Sequence, residues 1–313
     1  MLDAQRVAAI DCGTNSIRLL VADVGVDGSK TDLAREMRIV RLGEGVDRTG
    51  VLAEEAIERT LRALEEYAAI IREHDVAKVR FCATSATRDA ANAADFGQRV
   101  ERVVGVRPEV ITGTTESRFS YVGATWGLPP GSRAVLDIGG GSTELVLGDK
   151  PLGPDVGESY DVGSVRMTER FLHADPPTLA EIGTCLDACD RLIGRELEKY
   201  PPVSTLIGVA GTITTVAAHA LELPAYDRDA LHGARIPVDE MTSACLALAS
   251  MSVAERRDLP FMHPGRADVI GGGALVLDSV LSHLPLQTGE VVISEHDILD
   301  GIALSFVLPL DRP

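Results

Sequence analysis

The feature that most constrains this chain is a turn written twice. Residues 11–23 read Asp-Cys-Gly-Thr-Asn-Ser-Ile-Arg-Leu-Leu-Val-Ala-Asp, and residues 137–149 read Asp-Ile-Gly-Gly-Gly-Ser-Thr-Glu-Leu-Val-Leu-Gly-Asp. Aligned at the leading Asp, five of the thirteen positions coincide: Asp11/Asp137, Gly13/Gly139, Ser16/Ser142, Leu19/Leu145 and Asp23/Asp149. Each copy follows an apolar run and precedes another. The pattern predicts strand, tight Gly turn, strand, with glycine letting backbone N–H groups approach an anion. One copy is an ordinary Asp/Gly hairpin. Two, each opening a similar half, can hold a phosphate chain and its metal between half-molecules.

The flanking pattern repeats as well. Residues 6–11, 17–24 and 33–42 alternate or run apolar with β-branched side chains, which predicts three strands. Ala56, Ile57, Leu61, Leu64, Ala68 and Ile71 recur at three- and four-residue spacing, which predicts a helix over 53–73. A strand over 76–83, a helix over 95–104, a strand over 107–111 and a helix over 114–127 follow, the last capped by Thr114 or Thr115. The second half restarts with strands at 133–138, 142–148 and 155–162. Helices are expected at 163–173 and 178–199, then a strand at 204–210. Helices at 212–221, 238–249 and 265–284, a strand at 290–294 and a helix at 296–308 complete it. The βββα opening thus recurs after 126 residues.

A length of 313 residues suits two domains. The Gly-Leu-Pro-Pro-Gly run at 127–131 is the natural boundary. We therefore expect domains over 1–128 and 129–313, with the final helix packing back toward the first. The fold class is α/β. Two βββαβα-type domains face to face describe the actin-like (ribonuclease H-like) ATPase fold, with the ligand in an interdomain cleft.

Composition narrows the partners. A net charge of −17 disfavours non-specific nucleic-acid binding, which needs a positive surface. No run of 18 apolar residues occurs, so no membrane span is expected. Residues 1–6 lead quickly into a strand, leaving no room for a secretory leader. Five widely spaced Cys argue for a reducing compartment, hence a cytoplasmic protein, with the thiols buried and inert. Cys185 and Cys189 lie four apart on a helix, and the further ligands a zinc site needs are not visible nearby. The 30 basic residues are 26 Arg and 4 Lys, and Arg is the better bidentate phosphate ligand.

Asp11 and Asp137 end strands and can bind a divalent cation directly or through water. Asn15, Ser16 and Ser142 add donors beside the Gly residues. Glu144, seven residues after Asp137, falls on the same strand face as Ser142; a carboxylate there needs a metal or an Arg as partner. A strand ending at Thr84-Ser85 and running into a helix makes an anion-binding start, and Arg88 supplies a charge. Glu116, in the first turn of its helix, can take a proton from an attacking water or simply suit the helix dipole. Gly211-Thr212 opens the second half's counterpart of the Thr84 segment. Gly271-Gly272-Gly273 implies either close packing or a ligand-facing surface. His296-Asp297 is read as the cap of the last helix.

Together these motifs resemble the exopolyphosphatase / guanosine pentaphosphate phosphohydrolase family over almost the whole chain. The matching segments are 9–16, 83–90, 113–118 and 137–144, then 162–166, 210–212 and 266–270. The resemblance implies an Mg2+- or Mn2+-dependent hydrolase that removes terminal phosphate from inorganic polyphosphate. It implies Glu116 as the base that activates water and Asp137 and Glu144 as metal ligands; Asp11, from its place at a strand end, is expected to join them. Thr14, Asn15, Ser16, Arg88, Gly139, Gly140, Gly141, Ser142, Gly211 and Thr212 are the expected phosphate contacts. The family usually carries two acids before the position of Ser117; here Thr115 replaces the first, and Glu116 keeps the spacing to Arg118. The chain lacks the C-terminal helical region of long members, so a preference for short polymers is expected. Guanosine pentaphosphate, with its tetraphosphate product and a role in the stringent response, is the alternative substrate. An actin-like ATPase or sugar kinase and a silent alarmone sensor are the further rivals. A homodimer, common among relatives, is an open expectation.

Overall fold

A computed structural model describes residues 4–150 and 152–310. Its backbone divides into two compact units, Met1–Trp126 with His296–Pro313, and Gly127–Glu295. The first unit contains strands β1 (Gln5–Cys12), β2 (Ser16–Val24) and β3 (Lys30–Ile39), then α1 (Val46–Thr49), α2 (Glu54–Glu73) and β4 (Lys78–Ala83). It continues with α3 (Ser85–Arg88), α4 (Ala93–Val104), β5 (Glu109–Val110) and α5 (Gly113–Thr125). The second contains β6 (Arg133–Ile138), β7 (Thr143–Lys150), β8 (Gly153–Tyr160), α6 (Ser164–Phe171) and α7 (Leu179–Cys189). A π-helical turn, Asp190–Gly194, carries α7 into α8 (Arg195–Leu197). Next come β9 (Thr205–Val209), α9 (Ala210–Ala220), α10 (Arg228–Leu231), β10 (Arg235–Pro237), α11 (Val238–Ser250), α12 (Val253–Asp258), α13 (Ile270–His283) and β11 (Glu290–Ile293). The chain then returns to the first unit with α14 (Ile298–Leu304).

The first sheet has the order β3-β2-β1-β4-β5. The second runs β8-β7-β6-β9-β11, with β10 added antiparallel at the far edge. In both, an antiparallel three-strand meander joins a parallel pair through its first strand. This doubled βββαβα pattern is the actin-like fold expected from the repeat. β1 is buried on both faces, as its continuous apolar run requires. Ile10 and Leu19 face Leu64 of α2 and Phe96 of α4; Val7, Ala9 and Leu20 face Phe119 of α5 and Ile302 of α14. α5 and α14 cross where neither can carry a side chain: a Cβ on Gly123 would lie 1.8 Å from the Asp297 carbonyl oxygen, and one on Gly301 2.0 Å from that of Phe119.

Several local expectations change. The helix bearing Glu116 is capped by Thr112, whose side chain accepts from the Thr115 N–H, rather than by Thr114 or Thr115. The helix expected over 178–199 is interrupted by the π turn, where Asp190 accepts from Ser279 of α13 at 2.6 Å and Gly194 makes room for His283. The segment after Thr84 is a single turn before α4. Gly271, Gly272 and Gly273 serve close packing: Cβ atoms there would meet Arg256, Thr168 and Thr212 within 2.6 Å. All five cysteines are free and buried. Among the described residues no helix is long and apolar enough to cross a membrane.

Candidate active site

The two Gly turns close identically. The Gly13 N–H donates to the Ser16 carbonyl at 2.9 Å, and the Gly139 N–H to that of Ser142 at 3.0 Å. In each, the turn's carbonyls are engaged by a later segment. Asn15 accepts from the N–H groups of Val40 and Arg41, and Thr14 from Gly43, at 2.8–3.0 Å. Gly139 accepts from Ser164, and Gly140 from Val165 and Arg166, at 2.8–3.1 Å; the Arg166 Nε adds a bond to the Gly141 carbonyl at 2.7 Å. With those carbonyls tied down, the turn N–H groups that are not used in closing it can be presented to an anion. The approach is tight enough that a Cβ on Gly163 would lie 2.6 Å from backbone atoms of Gly140. The sequence reading noted 162–166 as a motif but missed this supporting role, because nothing local in the sequence reports a contact to a turn more than twenty residues away.

Parallel strand pairing sets a second loop beside each turn. β1 pairs with β4 through Cys12 and Ala83, and the Thr84 N–H donates to the Cys12 carbonyl. Thr14 and Ser85 hydroxyls meet at 3.2 Å. In the second unit, β6 pairs with β9 at Asp137 and Val209, so Gly211 and Thr212 follow directly beside the Asp137 turn. Ala210 takes φ +63°, a left-handed conformation unusual for a residue with a Cβ and a mark of a constrained strand-to-helix turn. The guanidinium of Arg266 lies over Gly211, where a Cβ would come within 2.3 Å of it. Arg88 donates to Glu116 at 3.2 Å and to the Ile111 carbonyl at 3.1 Å, so these expected site residues are partners in the first unit. Glu116 is buried on the first turn of α5. The Asn15 Oδ1 is buried without a hydrogen-bond partner.

The hairpins differ in charge. Asp11 stands directly opposite Arg18, and Asp137 directly opposite Glu144. Opposed residues in an antiparallel pair share a sheet face. Arg18 donates to the Asp11 Oδ2 from Nε at 3.0 Å and from Nη2 at 2.6 Å. Burial pushes the Asp11 carboxyl up; Arg18 opposes this and Asp297 adds to it. Asp11, expected among metal ligands, therefore already has a cation as its partner. Asp137 and Glu144, 7% and 2% exposed, place two carboxylates side by side, with Glu144 accepting from Ser159 Oγ at 2.7 Å. Among the described residues no group of three or more His, Cys, Asp or Glu side chains could hold a metal. A two-carboxylate set suits Mg2+, which commonly takes one or two carboxylates and completes its shell with water and phosphate oxygens.

A family model described as the Ppx/GppA phosphatase family matches residues 20–309. The chain belongs to this family. It is 47% identical to Exopolyphosphatase 2 of Mycobacterium tuberculosis, over 96% of this chain and 98% of that protein. The crystal structure of an exopolyphosphatase-like protein superposes with a TM-score of 0.89 at 40% identity, covering 97% of this chain and 98% of that one. A crystallised Ppx/GppA member from Aquifex aeolicus gives 0.81 at 34%, covering 99% and 100%. In this Ppx/GppA phosphatase the hairpin at Asp137 opposes two acids, whereas Arg18 faces the leading Asp in the first hairpin.

Proposed function

We propose that this chain is a cytoplasmic exopolyphosphatase that removes terminal phosphate from inorganic polyphosphate. The substrate class is suggested by the 47% identical relative, whose name is Exopolyphosphatase 2. The chemistry rests on one observation, the opposed buried pair Asp137 and Glu144. Mg2+ or Mn2+ on these two carboxylates would neutralise phosphate oxygens. The Gly139–Ser142 and Thr14–Ser16 turns offer N–H and hydroxyl donors, Gly211 and Thr212 add to the second set, and Arg88 adds a cation. Such contacts stabilise charge spread over equatorial oxygens at phosphorus. Glu116 accepts the proton of the attacking water, its carboxylate oriented beforehand by Arg88.

The test is phosphate release from polyphosphates of graded length, beside guanosine pentaphosphate and ATP. Release from polyphosphate supports the reading. Turnover of pentaphosphate alone favours the alarmone phosphohydrolase, and turnover of ATP alone an ATPase. Glu116→Gln is expected to fold normally and to lose at least about a hundredfold in kcat, the scale of a general base. Near-normal turnover in that variant removes Glu116 from the mechanism.

A further inference from the structure

The sequence marks Asp297 as a helix cap, and it is one: its Oδ1 accepts the Leu299 N–H at 2.9 Å at the start of α14. Its other oxygen does something a cap does not require. Oδ2 accepts from Nη1 of Arg18, the residue whose Nε and Nη2 hold Asp11. The guanidinium therefore lies between two carboxylates that are 6% and 7% exposed. Asp297 is itself fixed. Its N–H donates to the Asp300 Oδ2 at 3.0 Å, while the Asp300 Oδ1 meets Arg35 at 2.7 Å and Lys30 at 3.0 Å, both on β3. A chain of ion pairs, bridged between Asp300 and Asp297 by a backbone N–H, thus joins α14 to all three strands of the meander. It ends at Asp11, two residues before Gly13.

We propose that Asp297 is a positioning residue: it locks the Arg18 guanidinium, and through it the Asp11 carboxylate, behind the turn of Gly13 to Ser16. This rests on the reading that the turn holds substrate phosphate. Arg has many rotamers, and fixing it from both ends removes a freedom that would otherwise have to be lost when substrate binds. The carboxylate's two tasks fall on different oxygens, so they can be separated. Asparagine keeps an oxygen for the Leu299 N–H and is as good an N-cap. Its amide, however, puts a donor against the donor Nη1 of Arg18.

The experiment compares Asp297→Asn, Asp297→Ser and Asp297→Ala on the full chain. Asn and Ser preserve the cap; Ala removes cap and clamp together. The first arm is substrate-free: the Nε–H resonance of Arg18, assigned by its absence in Arg18→Lys, is expected to exchange slowly with solvent in the wild type and at least about tenfold faster in Asp297→Asn. The second arm is polyphosphate hydrolysis. Both Asn and Ser should raise KM about tenfold with kcat within about twofold, the pattern of lost uniform binding. In an Arg18→Met background Asp297→Asn should change KM by less than about twofold, because the residue acts through Arg18. An unchanged Arg18 resonance overturns the proposal whatever the substrate. So does a normal KM in Asn and Ser with damage only in Ala, which is the signature of a cap. A wild type inert toward polyphosphate sinks the functional reading instead, and the resonance still decides whether Asp297 locks Arg18.

Discussion

Glu144→Gln separates a metal-binding carboxylate from a structural one. Glu144 stands opposite Asp137, and Cβ atoms of directly opposed residues lie about 5 Å apart. If the two charges keep a similar spacing, then at an effective dielectric of about 20 they repel by about 3 kcal/mol. The Ser159 hydroxyl, donating to Glu144 at 2.7 Å, relieves part of this, and Gln can accept the same bond. With divalent cations removed by chelator, Glu144→Gln should therefore be more stable than the wild type by about 1–3 kcal/mol, a rise in Tm of roughly 3–10 °C for units of this size. Mg2+ should cancel or reverse this advantage. A cation at a hundred times its Kd stabilises the folded form by about 2.7 kcal/mol; the wild type should gain this and the variant little of it. Thermal scans of both proteins, with chelator and with Mg2+, read the two effects. The reasoning fails if the chelated variant melts below the wild type and Mg2+ still raises its Tm by as much.

Gly163→Ala adds a Cβ that would sit 2.6 Å from the backbone of Gly140, so it should displace the turn, costing about 1–3 kcal/mol of stability and at least about tenfold in activity; an active, merely less stable variant would detach α6 from the turn's function. Burial raises the Asp300 carboxyl, but Arg35, Lys30 and His296 more than reverse this and hold it at about 2. An unfolded Asp titrates at about 4. The pairing therefore stabilises the fold fully above about pH 4 and is lost as pH falls toward about 2. Asp300→Asn should cost about 3–5 kcal/mol at neutral pH and flatten stability across that window; an equally steep loss in the variant would show that Asp300 is not its source.

The sequence was most informative where structure is local and repeated. The Asp-Gly turns marked two hairpins, and the repeated strand pattern around them pointed to the actin-like fold, because alternation and glycine placement are written within a dozen residues. The charge reversal of Arg18 against Glu144 is likewise readable from the two aligned turns. The elements that were missed lie where tertiary contact overrides local preference. A helix pattern ran unbroken over 178–199, yet a π turn interrupts it where Asp190 and Gly194 meet Ser279 and His283 of α13. The Gly271 triplet left packing and ligand binding equally open, and only the neighbouring Arg256, Thr168 and Thr212 decide for packing.

The same distinction explains why the hairpins came apart chemically without coming apart structurally. A turn's backbone geometry depends on its glycines and on the segment that holds its carbonyls, and both copies keep these. The residue opposite the leading Asp sits on the second strand of the hairpin, and there the two copies carry opposite charge. Arg18 gives the first copy an internal counter-ion, which then requires its own compensation. Asp11 alone balances that charge, and Asp297 makes the local sum negative again. Two carboxylates on one Arg are stable only if a further cation offsets them or if the guanidinium is shared through good geometry. The three bonds made by separate Arg18 nitrogens meet the second condition. In the second hairpin a carboxylate, Glu144, stands at the position that Arg18 occupies in the first, so the proposed divalent ion would sit on that hairpin and not on the other.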